Sequence, residues 1–444
     1  MASIKSITIN GTNYSIGGTS GSNSLKVNLG KTAHQTLYAD IVYPSKIAGG
    51  NTVDVRSVIL NITLEGHPGY KPGTIIIDGK DTGKTVYSTT AVDGLNITAS
   101  EPELQDKLPF ILQLASPTNS TTAAEYTVTI NKAKGTLQWS YTNDITTASN
   151  KLTSSSGTPI SLSIGGTEDH STAYIWGGIS DNFGMTNWDG SVFSITKVND
   201  NGTDTQLNIK GDLSGLINLS GYPLISYYGP LQSMFQYVTT LPLDASDLQT
   251  KLYVEWCNYN STVGNHEATG CYEMFANSSL IKPPKTLPAT KLCSYCYRDM
   301  FRNTSITVAP DIPEFELFDA STDTYYNLNL AFSGMFSGCK HLVNGPTIYQ
   351  KSLNLDTHPE LIDGYNSKFY QIFDSMFYGC TSLQSVTCYY NVNELDNIVV
   401  SNKYENVFGL SWFPNNTATF YKRNSVDWSS SGVIPSTWTI KDIE

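Results

Sequence analysis

Charge is scarce in this chain. Only 15% of its 444 residues are Asp, Glu, Lys or Arg, and 39 acids against 27 bases leave a formal net charge of −12. Neutralising phosphates takes grouped Lys and Arg, so nucleic acid is not an expected partner. Long apolar runs are missing as well. No stretch approaches the roughly 18 apolar residues of a membrane helix, so no membrane insertion is expected. Met1–Ile7 alternates instead of opening an apolar run, which speaks against a secretory leader. Cysteine is absent until Cys257, so no early lipid-anchoring Cys exists. The seven cysteines (257, 271, 293, 296, 339, 380, 388) are odd in number and confined to the second half, which points to reduced thiols over a disulfide scaffold.

Reactive motifs are equally thin. The six histidines are scattered, with no His-Glu-x-x-His and no Gly-x-Ser-x-Gly elbow, so an enzyme is not expected and no catalytic residue, metal ligand or cofactor site is assigned. A glycosidase pair would leave no mark, because carboxylates about 5–10 Å apart need not be neighbours in sequence. Gly79-Lys80-Asp81-Thr82-Gly83-Lys84-Thr85 has three residues between its glycines where a phosphate-binding loop needs four, and reads as a tight hairpin turn. Cys293-Ser294-Tyr295-Cys296 has zinc-knuckle spacing but no second pair, and reads as structural. Asp200–Asp204 lacks the length and terminal Glu of a calcium loop and reads as a turn. Lys282, Lys285, Lys291, Arg298 and Arg302 read as a solvated face.

What is present is Ser, Thr and Asn, 132 residues together, with 27 Tyr. A hydrophobic fraction of 39% suffices for packed cores, and the Thr, Tyr, Val and Ile favour strands. The length suggests about three domains. Such a surface suits work outside cells, while the missing leader suits synthesis in a cytoplasm. Assembly of a particle in a host, released by lysis, reconciles the two.

Five segments are expected. In residues 1–24, Ile7 and Ile9, then Asn10-Gly11, then Tyr14 and Ile16 form a hairpin signal, because both positions of a type I′ turn need positive φ. It is either a docking hairpin that adds to a neighbour's sheet or the first hairpin of the next domain. A Gly/Ser-rich linker follows. Residues 25–134 read as an Ig-like β-sandwich with strands at Leu37–Val42, Val58–Leu64, Thr74–Ile77, Phe110–Leu114 and Tyr126–Ile130. Residues 135–227 read as a second β domain, with strands at Thr172–Ile179 and Ser191–Val198 and loops at Asn150–Gly157 and Asn199–Asp204. Its aromatics Tyr174, Trp176, Phe183, Trp188 and Phe193 fit a β core more readily than a glycan site.

Residues 228–418 repeat a pattern. Cys271-Tyr272-Glu273-Met274-Phe275 leads to Leu280, and Cys296-Tyr297-Arg298-Asp299-Met300-Phe301 leads to Ile306. Met335-Phe336-Ser337-Gly338-Cys339 leads to Leu342, and Met376-Phe377-Tyr378-Gly379-Cys380 leads to Leu383. Met234-Phe235 starts a worn copy, and Val407-Phe408 reads as a last vestige. Met-Phe and the following Leu or Ile lie near two helical turns apart, so a short helix per unit is expected. One unit cannot bury that face alone, so units must stack into a solenoid. Residues 419–444, with Trp428 and Trp438, read as its C-terminal cap.

The pattern resembles the BspA-like branch of leucine-rich repeats, with its Cys-Tyr-x-x-Met-Phe-x-Gly-Cys-x-x-Leu run, over about Leu231 to Leu383. Two copies carry Asn277-Ser278 and Asn303-Thr304 in place of Gly-Cys. The resemblance implies a mainly β, multidomain chain ending in an irregular α/β repeat solenoid, and adhesion or structure in place of catalysis. Such repeats occur in bacterial surface proteins and in virion proteins of phages infecting Bacteroides-like hosts. The expected protein is therefore a head-fibre or tail-fibre virion component without cofactor. Its expected partners are capsid or tail proteins, a host surface glycan or protein, and further copies of itself, in a trimer by analogy with fibres. A bacterial surface adhesin is the alternative, and a capsule-depolymerising enzyme stands third.

Overall fold

The computed structural model describes residues 6–443 except 10, 16–21, 29–34, 43–58, 67–69, 91, 93, 105–108, 116–123, 132–134, 144–149, 155–159, 166–167, 178–192, 199–205, 213–231, 250–270, 286, 288–291, 320–322, 365–366, 397, 410, 415 and 430. The chain is mainly β, in several sheets. Among the described residues the α-helix is limited to Lys403–Phe408, and no helix is long and apolar enough to cross a membrane. Two compact units form: Met1–Lys107 with Ala320–Thr324, and Leu108–Asp319 with Tyr325–Glu444.

The first unit holds two sheets. One has the order Thr12–Ser15, Ser6–Ile9, Asn96–Ala99, Ile75–Ile77, Lys80–Asp81. The other has the order Ser22–Asn28, Gln35–Val42, Ile59–Gly66, Val86–Thr90. Period-two alternation sends Leu60, Ile62 and Leu64 inward against Ile7, Ile9, Leu37, Ile75 and Ile97, while Ile59, Asn61 and Glu65 face out. The expected hairpin exists, with Ile9 opposite Thr12 and Gly11 at φ 78°. It is the first hairpin of this unit, not a free docking element. Ile7 and Ile9 are fully buried, and Ser6–Ile9 is paired on both sides. Asn10 and Ile16 lie outside the described residues, as does the Tyr14 side chain. Gly79 sits with Asp78 in the expected hairpin turn, where Ile77 faces Lys80. The Asp81 carboxylate accepts the Gly83 N–H at 2.8 Å, which places a negative charge where a phosphate would have to go.

Phe110–Leu114 and Tyr126–Ile130 do not close the first sandwich. Phe110–Leu114 lies between Thr172–Gly177 and Leu207–Asp212, and Tyr126–Ile130 lies between Ile160–Ile164 and Phe193–Lys197. Alternation identifies such strands but not their partners, which here come from up to about a hundred residues later. The expected loop at Asn150–Gly157 contains a polar strand, Asn150–Ser154, at the sheet edge with Leu152 opposite Leu137. An edge strand of this composition is recognised by its backbone pairing and not by its sequence.

The expected boundary near residue 228 is also absent from the core. One seven-stranded sheet runs Asn150–Ser154, Gly135–Ser140, Thr172–Gly177, Phe110–Leu114, Leu207–Asp212, Leu243–Gln249, Leu280–Lys282, antiparallel at first and parallel from Leu207–Asp212 onward. A second, parallel sheet follows: Asn344–Ile348, Ser385–Cys388, Thr419–Arg423, Thr439–Ile443.

The Met-Phe segments are turns, not helices. Every second N–H bonds back three residues, as Met300 does to Tyr297 and Arg302 to Asp299. The alternate N–H groups cross to the next segment: Tyr297 to Ala331, Asp299 to Ser333, Phe301 to Met335, Asn303 to Ser337. This division needs a left-handed residue every fourth position, met at Tyr295, Asp299 and Asn303 and again at Leu330, Gly334 and Gly338. Gly, Asn and Asp tolerate that conformation best. Asn277, Asn303, Gly338 and Gly379 are thus equivalent, and the residue after each supplies a donor. Ser278 and Thr304 bond the carbonyls of Phe275 and Phe301 at 2.7 and 2.8 Å, while Cys339 and Cys380 reach those of Phe301 and Phe336 at 2.9 and 3.0 Å. The copies without Gly-Cys keep a donor at that position but direct it to their own turn, where the cysteines reach the preceding segment.

Packing follows from this register. Phe235, Phe275, Phe301, Phe336, Phe377 and Phe413 form a column with centroids 5.4–6.0 Å apart and planes within 9°. Tyr297, Phe332, Phe373 and Phe408 form a second column, four residues earlier in the first three segments and five in the last. Val407-Phe408 therefore belongs to the second column. The last Met-Phe equivalent is Trp412-Phe413, since the Phe377 N–H bonds Trp412 as Phe336 bonds Met376.

Candidate functional site

Parallel strands alternate their side chains, and in the second sheet Ile348, Val386, Cys388 and Phe420 go inward. The opposite face carries Thr387, Tyr421 and Lys441 in one register row. One step further along the strands come Tyr349, Tyr389, Arg423 and Ile443. Tyr349 is 42% exposed and lies on Tyr389 with centroids 5.5 Å apart and planes 13° apart. Backbone bonds hold the pair, since the Tyr349 N–H reaches Ile312 and that of Tyr389 reaches Ile348, both at 2.9 Å. Beside Tyr389, a concavity of about 490 Å³ is lined by Tyr389, Arg423, Asn424, Ser425 and Ile443.

The charges around this face are unevenly satisfied. Lys422 pairs with Asp442, and Lys351 lies 3.7 Å from Glu314. Arg423 has no carboxylate partner among the described residues. The exposed side chains of Asn424 and Ser425 make no hydrogen bond among them. A flat aromatic surface beside unused donors can hold a ligand. None of these residues stood out in the sequence. The available signal was a tyrosine recurring 14 residues after Met335 (349 − 335) and 13 after Met376 (389 − 376).

The residues that the repeat pattern singled out lie elsewhere. Met274, Phe275, Leu280, Met300, Phe301, Ile306, Met335, Phe336, Leu342, Met376, Phe377 and Leu383 are all buried in one core. Phe193 and Trp176 are buried, with Tyr174 against Trp176 at 6.4 Å, while Phe183 and Trp188 lie outside the described residues. Cys293 and Cys296 are buried, and no group of His, Cys, Asp or Glu suited to a metal occurs among the described residues. Burial lifts the Cys271 thiol well above its ordinary range and takes Cys339 to about 11. Thiols so held are poor nucleophiles.

Most of the basic cluster is paired. Lys282 meets Asp244 at 2.7 Å, Lys285 meets Asp247 at 3.1 Å, and Arg298 and Arg302 flank Asp299 at 3.4 and 3.9 Å. Lys291 and Asp200–Asp204 lie outside the described residues. Burial raises the carboxyl groups of Glu273, Asp299 and Asp374 despite the arginines nearby. A Cβ on Gly334 would stand 2.3 Å from Asp299 Oδ1, so that glycine makes room for the network. Glu394 is buried too, and accepts from Ser352 Oγ at 2.6 Å, the Leu353 N–H at 2.9 Å and the Tyr390 hydroxyl.

Comparison with family models, curated proteins and solved structures returned no match.

Proposed function

We propose that this chain is a structural virion protein of a tailed bacteriophage, of head-fibre or tail-fibre type, whose repeat half adheres to the host surface. The stacked Met-Phe segments are read as an irregular BspA-like leucine-rich-repeat solenoid, supported by their recurring motif and their register. The observation that carries the adhesive role is the face bearing Tyr349, Tyr389, Tyr421 and Arg423. Its side chains are turned away from the core, and it offers contact area without reactive groups. Attachment to the particle falls to the first unit as a whole, because its opening hairpin is committed to its own core. Capsid or tail proteins and further copies of the chain are the proposed partners there.

Gold-labelled antibody against the chain, viewed on purified phage particles, tests this reading. Label at vertices or tail tips is expected. Label on the envelope of uninfected cells instead establishes the alternative, a bacterial surface adhesin. Light scattering adds a second check, since a strictly monomeric mass in solution contradicts a fibre.

A further inference from the structure

We propose that the concavity between Tyr389 and Ile443 binds an acidic sugar, a uronic acid residue of a surface polysaccharide. The proposal rests on the adhesive reading and gives that face a ligand class. In a chain with twelve surplus negative charges, Arg423 is a cation left without a carboxylate among the described residues, and the exposed Lys441 lies on the neighbouring strand. An anion is therefore the complementary occupant, and a guanidinium binds a carboxylate through two parallel N–H donors. The remaining lining selects for the rest of a sugar. The Tyr389 ring, stacked near-parallel on Tyr349, offers an aromatic face to a pyranose, while Asn424 and Ser425 supply an amide and a hydroxyl with no partner among the described residues. About 490 Å³ accommodates one or two sugar rings. A peptide carboxylate would use Arg423 but not the paired rings.

The test titrates the full chain with oligogalacturonate, with maltooligosaccharide of equal length and with oligoglutamate, by calorimetry at low salt. Oligogalacturonate is expected to bind saturably and at least tenfold more tightly than either competitor, and more weakly as salt rises. Arg423→Gln and Tyr389→Ala should each lose tenfold or more, and Arg423→Lys should fall between. Unchanged tryptophan fluorescence and circular dichroism certify the fold of each variant. No oligogalacturonate binding, equal binding of the neutral sugar or of oligoglutamate, or full binding by Arg423→Gln overturns the site. Adsorption of the same proteins to encapsulated cells separates the two readings. Adsorption that survives Arg423→Gln removes this site and keeps adhesion, whereas its absence in the wild type removes adhesion alone.

Discussion

The two units bury apolar surface by different means. The first has a core of Ile, Leu and one Ala drawn from alternating strands, and residues 1–107 contain no Phe or Trp at all. The second places its rings in columns, with a phenyl group every 5.4–6.0 Å from Phe235 to Phe413. Aliphatic alternation fixes which face of a strand is inside, but many partners would satisfy it. A column of near-parallel rings fixes which segment follows which, because a slipped segment would lose its stack and its crossing N–H bonds together. The first kind of core defines a face, the second an order.

Tryptophan, confined to the second unit, separates the two experimentally. Phe336→Ala removes the middle of the column and should cost about 3–5 kcal/mol. The loss should appear in tryptophan-monitored urea unfolding, while Ile9→Ala should leave that transition in place and lower a separate one seen by circular dichroism. A shared shift would break the distinction between the units. Glu394→Ala comes next, at about 3 kcal/mol, because it strands the Leu353 N–H and the Tyr390 hydroxyl in a buried site. Glu394→Gln should recover part of this.

Gly338→Ala sharpens the contrast at smaller scale. A Cβ there meets Asn303 Oδ1 at 1.9 Å with φ at 74°, for an expected loss of about 1–3 kcal/mol in the same assay. Asn277→Gly, at the equivalent position, should be close to neutral. The smallest effect concerns pH. Burial holds Glu273, Asp299, Asp374 and Glu394 above their unfolded values, so their contribution is complete below about pH 4 and fades as pH rises through the folded values. Asp244 is opposite. Burial works against it, but Lys282 and Ser246 hold it low, so its contribution fades as pH falls through the folded value. The urea midpoint of the second unit should rise as pH falls towards about 4 and drop below that.

The same contrast explains what could be read in advance. Leu60, Ile62 and Leu64 announce a strand by themselves, and Met-Phe followed by Leu announces a repeat. The partners of Phe110–Leu114 are set by distant residues that no local period encodes. The expected helix failed for a local reason, since the six or seven residues from Met to Leu or Ile also fit two four-residue turns. The series Asp299, Asn303 and Gly334, Gly338 carried that alternative, because it spaces left-handed-tolerant residues by four, not 3.6. The tyrosine pair was hidden because its members meet only after the strands are placed side by side.

The crossing N–H bonds also bear on how such a chain changes over generations. They register only the turns, so the stretch between one turn and the next is free to differ, as the Met-to-Met intervals of 40, 26, 35 and 41 residues do. Duplicating one segment would add one more ring to the stack, 5.6 Å from its neighbour as Phe336 is from Phe301, and leave both closing ends untouched. Reach becomes adjustable in fixed increments, separately from whatever the exposed strand face recognises.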